Sequence, residues 1–179
     1  LFKQKMNATL RIYQKKINIR TGYKVMTSKP DKNRKKVGNF VKNTKQLLTK
    51  NGFVFDPEMI LVASSKDAWY GKELNANSKV PTASSLMKLT KLGKVSYTPM
   101  ITRGTNKFRD KNILIMMGKV NMHPGLAEFL GMQDKKSKDL HTLSELVQLI
   151  YRTAIRDGKD TFFFSADADN IRVLKGFIY

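Results

Sequence analysis

Five short apolar runs, separated by segments with helical spacing, constrain the fold of this chain more than any other feature. The runs are rich in β-branched or aromatic residues and do not alternate with polar residues, which is typical of strands that are covered on both faces. They lie at residues 23–27, 59–63, 95–98, 113–117 and 161–164. Because strands that alternate with helices are joined by right-handed crossovers, the pattern predicts an α/β fold with a mostly parallel sheet of about five strands and helices on both faces.

The clearest helical segment has apolar residues at the spacings i, i+3, i+4, i+7 and i+11. These residues are Leu143, Leu146, Val147, Ile150 and Ala154. Thr142 and Glu145 match a T-x-x-E capping box, so we expect the helix to begin there. Residues 1–18 are predicted to form an entering helix or linker. Residues 19–179 are predicted to form one domain, because 179 residues suit a single α/β unit.

The charge of the chain indicates a polyanionic partner. It has 34 Lys and Arg against 14 Asp and Glu, a formal net charge of +20. Such a surface attracts polyanions and releases their counterions, so DNA or RNA is the first candidate. A membrane partner is not expected, since no apolar run approaches the roughly 20 residues of a spanning helix. The chain has no cysteine, which excludes disulfides and thiolate metal sites.

A cluster of basic residues is predicted to open the second helical segment. Helix amino-termini bind phosphate, and basic side chains add positive charge, so this cluster is a candidate contact for a nucleic-acid backbone. The alternative is a solubilising face. The cluster consists of Lys32, Arg34, Lys35 and Lys36.

A first candidate site follows the third predicted strand. Thr98, Thr102, Arg103, Gly104 and Asn106 lie at the end of that strand and just beyond it, where ligands gather in parallel α/β sheets. Glycine lets a ligand approach the backbone closely, and arginine offers a forked donor that suits phosphate. The alternative is an ordinary turn with an exposed arginine.

A second candidate site lies towards the end of the clearest helix. Gln148, Arg152 and Arg156 are spaced by four residues, so on one helix they would form a single polar stripe. Guanidinium groups held in line can stabilise the charge on a phosphoryl group during its transfer. The alternative is a solvated face of an amphipathic helix.

The first candidate site resembles a conserved motif of superfamily-two helicases of the DEAD/DEAH-like type. Thr98-x-x-x-x-Arg103-Gly104-x-Asn106 looks like motif V of that family, T-x-x-x-x-R-G-x-[DN]. The run at residues 23–27, with the polar residues after it, is similar to motif IV. The stretch from residue 95 to residue 164 resembles helicases of bacteriophages more than cellular ones.

The second candidate site resembles motif VI of the same family, Q-x-x-G-R-x-x-R. Gln148 and Arg152 stand at the expected spacing, but Tyr151 replaces the family's glycine. Arg156 follows Arg152 by four residues, where the family has three. Motifs V and VI occur in this order in the second, carboxy-terminal RecA-like domain of these helicases.

The resemblance implies a motor domain that works with ATP and Mg²⁺. Arg152 or Arg156 would be the arginine finger, with Gln148 beside it. The resemblance also implies that Thr98, Arg103 and Gly104 couple nucleic-acid contact to that site. Arg103, Gly104 and Asn106 would face the nucleotide, and Thr98 and Thr102 would face the nucleic acid.

The parts that hold ATP are expected in an amino-terminal RecA-like domain outside this chain. The sequence contains neither G-x-x-x-x-G-K-[ST] nor D-E-x-[DH], so it has neither a P-loop nor its usual magnesium-binding partner. The 179 residues alone are therefore expected to bind ATP poorly and to hydrolyse none.

The sequence thus predicts the second motor domain of an ATP-dependent DNA or RNA helicase or translocase. We expect it inside the cell, in the host cytoplasm if it comes from a bacteriophage. The first alternative is a non-enzymatic, basic DNA- or RNA-binding protein, which explains the charge equally well. The second alternative is a nuclease or restriction-system subunit that carries the same motor domain.

Overall fold

The computed structural model describes residues 10–13, 32–71, 85–92, 94–101 and 106–179. The strands are β1 (Leu10–Tyr13), β2 (Ile60–Ser64), β3 (Ser96–Pro99), β4 (Ile113–Met116) and β5 (Thr161–Ser165). The helices are α1 (Lys32–Lys50), α2 (Lys66–Tyr70), α3 (Leu86–Thr90), α4 (Pro124–Phe129), α5 (Lys135–Ile150) and α6 (Ala168–Ile178). Short 3₁₀ turns lie at Pro57–Met59 and Ala154–Asp157.

The five strands form one sheet in the order β1-β5-β4-β2-β3, and every neighbouring pair is parallel. The chain runs from β2 to its neighbour β3 and then returns to β4 on the other side of β2. The winding direction therefore reverses between β2 and β4, which makes the sheet doubly wound. This architecture confirms the predicted α/β class with a parallel sheet.

Both faces of the sheet are covered by helices. Ile60 and Val62 of β2 point to one face, where they pack with residues of α1, α2 and α3. Leu61 and Ala63 point to the opposite face, where α5 and α6 pack. All residues of β2, β4 and β5 are buried, which explains why their sequences are apolar runs without alternation.

The predicted strands at residues 59–63, 95–98, 113–117 and 161–164 are confirmed to within about one residue at each end as β2 to β5. The run at residues 23–27 lies outside the described residues. The prediction that residues 1–18 form a helix is wrong at Leu10–Tyr13, which is strand β1. Its backbone pairs with β5, and Leu10 is buried while Arg11 is exposed. Ile12 packs against the same core cluster as Leu10, so alternate residues of this edge strand face the core.

The predicted capping box is also wrong. α5 begins at Lys135, and its cap is Asp134, whose carboxylate accepts a hydrogen bond from the Ser137 N–H at 2.9 Å. Thr142 and Glu145 lie in the middle of the helix, where both are buried. The Thr142 hydroxyl donates to the Val120 carbonyl at 3.3 Å, so a tertiary contact explains this threonine. Among the described helices, none has the length and apolar character needed to cross a membrane.

Two leucines of α5 provide a matched test of this packing. Leu146 is completely buried against the sheet, whereas Leu140 is 54% exposed. We expect Leu146→Ala to lower the free energy of unfolding by about 2–5 kcal/mol, because it leaves a cavity in the core. Leu140→Ala should change it by no more than about 0.5 kcal/mol. Urea unfolding followed by circular dichroism measures both. Equal effects would contradict the position of α5 on the sheet.

Candidate functional site

The connections that lead into β2, β4 and β5 meet at the amino-terminal edge of the sheet. The Asn112 N–H donates to the Met59 carbonyl at 3.1 Å, which joins the entrances of β4 and β2. The Ala154 N–H donates to the Lys111 carbonyl at 2.8 Å, which joins the 3₁₀ turn before β5 to the entrance of β4. These backbone bonds make the three connections one continuous edge.

The helix that was predicted to continue through Ala154 ends earlier, at Ile150. The backbone of Thr153 is extended, and its hydroxyl donates to the Ile150 carbonyl at 2.6 Å. The Ala154 N–H is satisfied by Lys111 and not by the preceding helical turn. The apolar spacing would allow the helix to continue, but the hydrogen bond from Ala154 to Lys111 ends it here. A 3₁₀ turn begins in its place.

The prediction of a single helical stripe is therefore wrong for Gln148, Arg152 and Arg156. Gln148 lies on α5, Arg152 lies between the helix and the 3₁₀ turn, and Arg156 lies within the turn. Gln148 is exposed, and its amide donates to the Ser144 hydroxyl at 3.2 Å.

Arg156 meets Asn106 at this edge. The Arg156 Nη1 donates a hydrogen bond to the Asn106 Oδ1, and both residues are exposed. They are 50 positions apart in the sequence, so the fold brings together one residue from each candidate site. Asn106 was predicted at the carboxyl end of a strand. It lies instead at the amino-terminal edge, because the segment that it begins leads into β4.

Arg109 and Asp157 form a second bridge between the same two segments. The Arg109 Nε donates to the Asp157 Oδ2 at 3.3 Å, and its Nη2 donates to the other carboxylate oxygen. The hydrogen bond from Arg109 lowers the pKa of Asp157, and the positive charges of Lys159 and Arg156 act in the same direction. Sequence reasoning missed this pair, since nothing in the sequence links positions 48 residues apart.

Arg152 differs from Arg156 in its surroundings. Arg152 is 8% exposed, and so is Glu145 on the preceding turns of α5. Burial lowers the pKa of the Arg152 guanidinium, while the negative charge of Glu145 opposes that shift. Arg152 is thus enclosed by the protein, whereas Arg156 stands at the surface.

The remaining residues of the first candidate site are only partly described. Thr98 is 1% exposed on β3, and its hydroxyl donates to the Pro99 carbonyl at 3.3 Å. Thr102, Arg103 and Gly104 lie outside the described residues. Thr98 is on the carboxyl-terminal half of its strand, so the structure does not bring it to the edge that carries Asn106 and Arg156.

The basic cluster lies on the first turns of α1, as predicted for a helix opening. Lys36 is exposed. The side chains of Lys32, Arg34 and Lys35 are outside the description, although their backbone is helical. The first turn of α1 contains no acidic residue.

The chemistry available at the amino-terminal edge is hydrogen-bond donation to an anion. The guanidinium group of Arg156 suits phosphate oxygens, and the amide of Asn106 can both donate and accept. Within the described ranges, no group of three or more His, Cys, Asp or Glu side chains is placed to hold a metal ion.

A protein-family model described as the YonV C-terminal Rossmann-like domain matches residues 4–164. The match includes β1 to β4 and most of β5, and it includes the Asn106 and Arg156 positions. No curated protein and no solved structure matches the chain.

The interaction between the buried Arg152 and Glu145 can be tested by substituting Glu145. Glu145→Gln removes the negative charge beside a buried guanidinium, so we expect the free energy of unfolding to fall by about 1–3 kcal/mol. The double variant Glu145→Gln/Arg152→Met should lose less than the sum of the two single variants, as coupled neighbours do. Glu58→Gln, at an exposed carboxylate, is the matched control. An additive double variant would show that the two side chains are independent.

Proposed function

Because the chain belongs to the family of the YonV C-terminal Rossmann-like domain, we propose that it acts as the second, RecA-like motor domain of an ATP-dependent nucleic-acid helicase or translocase. ATP and Mg²⁺ would be held mainly by a first domain that carries the P-loop and lies outside these 179 residues. The description of the family as a C-terminal domain is compatible with a first domain that precedes this one in cis.

The observation that carries the proposal is the hydrogen bond between Asn106 and Arg156. The resemblance assigns Asn106 to motif V and Arg156 to motif VI, and these motifs serve one nucleotide in helicases. The bond joins them on an exposed edge of the sheet. An arginine that is already oriented by a neighbour loses less freedom when it meets a phosphate, which is how preorganised donors stabilise a transferring phosphoryl group.

Exposure distinguishes the two arginines in this proposal. A side chain that reaches a phosphate on another domain has to stand at the surface, as Arg156 does. Arg152 is enclosed near Glu145, so we assign it a positioning role for the turn that carries Arg156. Gln148 is exposed on the last turns of α5, where it can contact the first domain.

Nucleic acid is proposed to bind at the opposite edge. α1 ends where the connection to β2 begins, so its amino-terminus lies towards the carboxyl ends of the strands. A helix amino-terminus with basic residues and no acidic residue in its first turn suits a phosphodiester backbone. The proposed contacts there are Lys32, Arg34, Lys35 and Lys36. The resemblance adds Thr102 to the proposed nucleic-acid contacts.

Substitution of Arg156 in the protein that contains both domains tests the proposal. Arg156→Ala should lower kcat for nucleic-acid-stimulated ATP hydrolysis by about 10³-fold or more, because the transition state loses a positive charge. Its affinity for single-stranded nucleic acid should stay within about threefold, since at most one phosphate contact changes. Arg11→Ala, at an exposed arginine on β1, should leave both quantities unchanged.

Two results would contradict the proposal. Unchanged hydrolysis in Arg156→Ala, with only a small loss of nucleic-acid affinity, would favour the non-enzymatic DNA- or RNA-binding protein. Multiple turnovers of ATP by the 179-residue chain alone would show that the nucleotide is not held by another domain.

A further inference from the structure

An open groove with an apolar floor lies between α5 and α6. Its volume is about 580 Å³, which falls within the range of roughly 300–1,000 Å³ that is usual for binding clefts. The apolar lining comes from Leu140 and Leu143 of α5 and from Gly176 and Phe177 of α6. α6 begins at Ala168, beyond the residues 4–164 that the family model matches, so the family match does not account for this groove.

The exposed leucine at the rim of the groove is not explained by the packing of the fold. The buried face of α5 consists of Leu146, Leu149 and Ile150, which pack against the sheet. Leu140 is 54% exposed and belongs to neither core cluster. It precedes the half-buried Leu143 by three residues, so the two side chains lie on one flank of the helix. A contiguous apolar flank that faces water is typical of an interaction site.

Gly176 keeps the floor of the groove open. It lies inside α6, and its φ is not positive. A Cβ at this position would meet no heavy atom of the described neighbouring residues within 4 Å, so neither the backbone conformation nor the packing requires glycine. Glycine inside a helix is less stable than alanine, because it loses more backbone freedom on folding. A glycine that the fold does not need suits a place where another backbone approaches closely.

The groove suits a helix better than an extended segment. Its lining residues belong to two helices, and most of their backbone polar groups are bonded within each helix. An extended segment would find few backbone partners there, and its own polar groups would lose water without compensation. A helix satisfies its own backbone groups and presents apolar side chains at i, i+3, i+4 and i+7. The wall from Lys135 to Leu143 is about 12 Å long, which matches about two turns of a partner helix.

The rim of the groove indicates the charge of that helix. Lys135 and Lys136 are exposed and form no salt bridge with another described residue. Asp139, the carboxylate of the described lining, is bonded through both oxygens to Arg172. Positive charge beside an apolar floor is complemented by acidic residues beside an apolar stripe. The phosphates of nucleic acid gain nothing from an apolar floor, and a second copy of a chain with net charge +20 would be repelled.

We propose that the groove between α5 and α6 binds an acidic amphipathic helix of a partner protein. The apolar stripe of that helix packs on Leu140 and Phe177, with its backbone close to Gly176. Its acidic residues face Lys135 and Lys136. The groove contains no residue of the amino-terminal edge, so helix binding is independent of the proposed motor function.

The test measures binding of a designed peptide to the full chain by fluorescence anisotropy at near-physiological salt. The striped peptide is a labelled helix of about 18 residues, with leucines at i, i+3, i+4 and i+7 and glutamates elsewhere. The control peptide has the same composition, in an order that does not align the leucines. The striped peptide should bind about tenfold more tightly or better, because it alone presents an apolar face to the groove. Equal binding of the two peptides, or no binding of either, would overturn the proposal.

Two exposed leucines provide a matched comparison. Leu140→Ala should weaken binding of the striped peptide by about tenfold, because it removes an apolar contact of the groove. The midpoint of its thermal unfolding should stay unchanged, since this side chain is not part of the core. Leu126→Ala truncates a leucine on α4 that is 45% exposed and lies outside the groove, and it should change binding by less than about twofold. Equal losses in the two variants would contradict binding in the groove.

Two substitutions test the open floor at Gly176. Gly176→Ala should raise the midpoint of thermal unfolding by about 2 °C, because alanine favours the helix and meets open space. Gly176→Leu should fill the groove and weaken binding of the striped peptide by about tenfold or more. Ser144→Leu adds the same side chain to an exposed position of α5 outside the groove, and it should leave binding unchanged. A lower midpoint in Gly176→Ala would show that the fold itself requires the glycine, against the proposal.

The charge of the rim and the identity of the occupant are tested last. Lys135→Ala/Lys136→Ala should weaken binding of the striped peptide by about threefold or more. Lys88→Ala/Lys94→Ala removes the same charge from exposed lysines outside the groove and should have a smaller effect. Without peptide, the chain should sediment as a monomer. A dimer that Gly176→Leu abolishes would show that a second copy occupies the groove, and equal losses in the two lysine variants would show that the rim does not select the partner; either result would overturn the proposal.

Discussion

The hydrogen bond from the Ala154 N–H to the Lys111 carbonyl determines the geometry of the amino-terminal edge. The apolar spacing of the preceding residues would allow a helix to continue, but this bond takes the donor that the next helical turn needs. The chain therefore turns beneath β4 before it enters β5. One consequence is that Arg156 lies beside Asn106. Another is that Arg152 remains enclosed near Glu145.

The sheet separates two chemically different edges. The amino-terminal edge presents Arg156, Asn106 and the Arg109–Asp157 ion pair. The carboxyl-terminal edge presents an ion-pair network in which Arg172 bonds to Asp139 and Asp169, and Lys119 bonds to Asp169. β4 has four residues, all buried, and connects the two edges over about 13 Å. A short, fully packed strand is stiff, so the Asn106–Arg156 contact and the ion-pair network around Arg172 are held in fixed relation.

The sequence predicts the strands well because their signal is local. β2, β4 and β5 are covered on both faces, so each is a short apolar run that can be recognised without knowing its neighbours. The strand β1 was missed because Leu10–Tyr13 is only four residues long and is defined by its pairing with β5. Asp134 was missed as the cap of α5, since Thr142 and Glu145 form a stronger local pattern, although the Thr142 hydroxyl bonds to the Val120 carbonyl and not to a helix terminus.

The sequence identifies residues of the candidate site, but it does not predict how they are arranged in space. Motif resemblance selected Asn106 and Arg156, and the structure joins them. The exposure of each arginine could not be predicted, because it depends on where α5 ends. The ion pair of Arg109 with Asp157 and the network around Arg172 involve partners from distant segments. Such partners are selected by the fold, and single-sequence spacing carries no information about them.

We propose that Arg156 contacts the phosphate of a nucleotide that is held by another domain. The most direct measurement is a crystal structure of the protein with both domains, bound to Mg²⁺ and a non-hydrolysable ATP analogue. We expect a guanidinium nitrogen of Arg156 at hydrogen-bond distance, about 3 Å, from a γ-phosphate oxygen, with Asn106 still beside it. A closed complex in which Arg156 points to solvent and the γ-phosphate is contacted by other residues would contradict it.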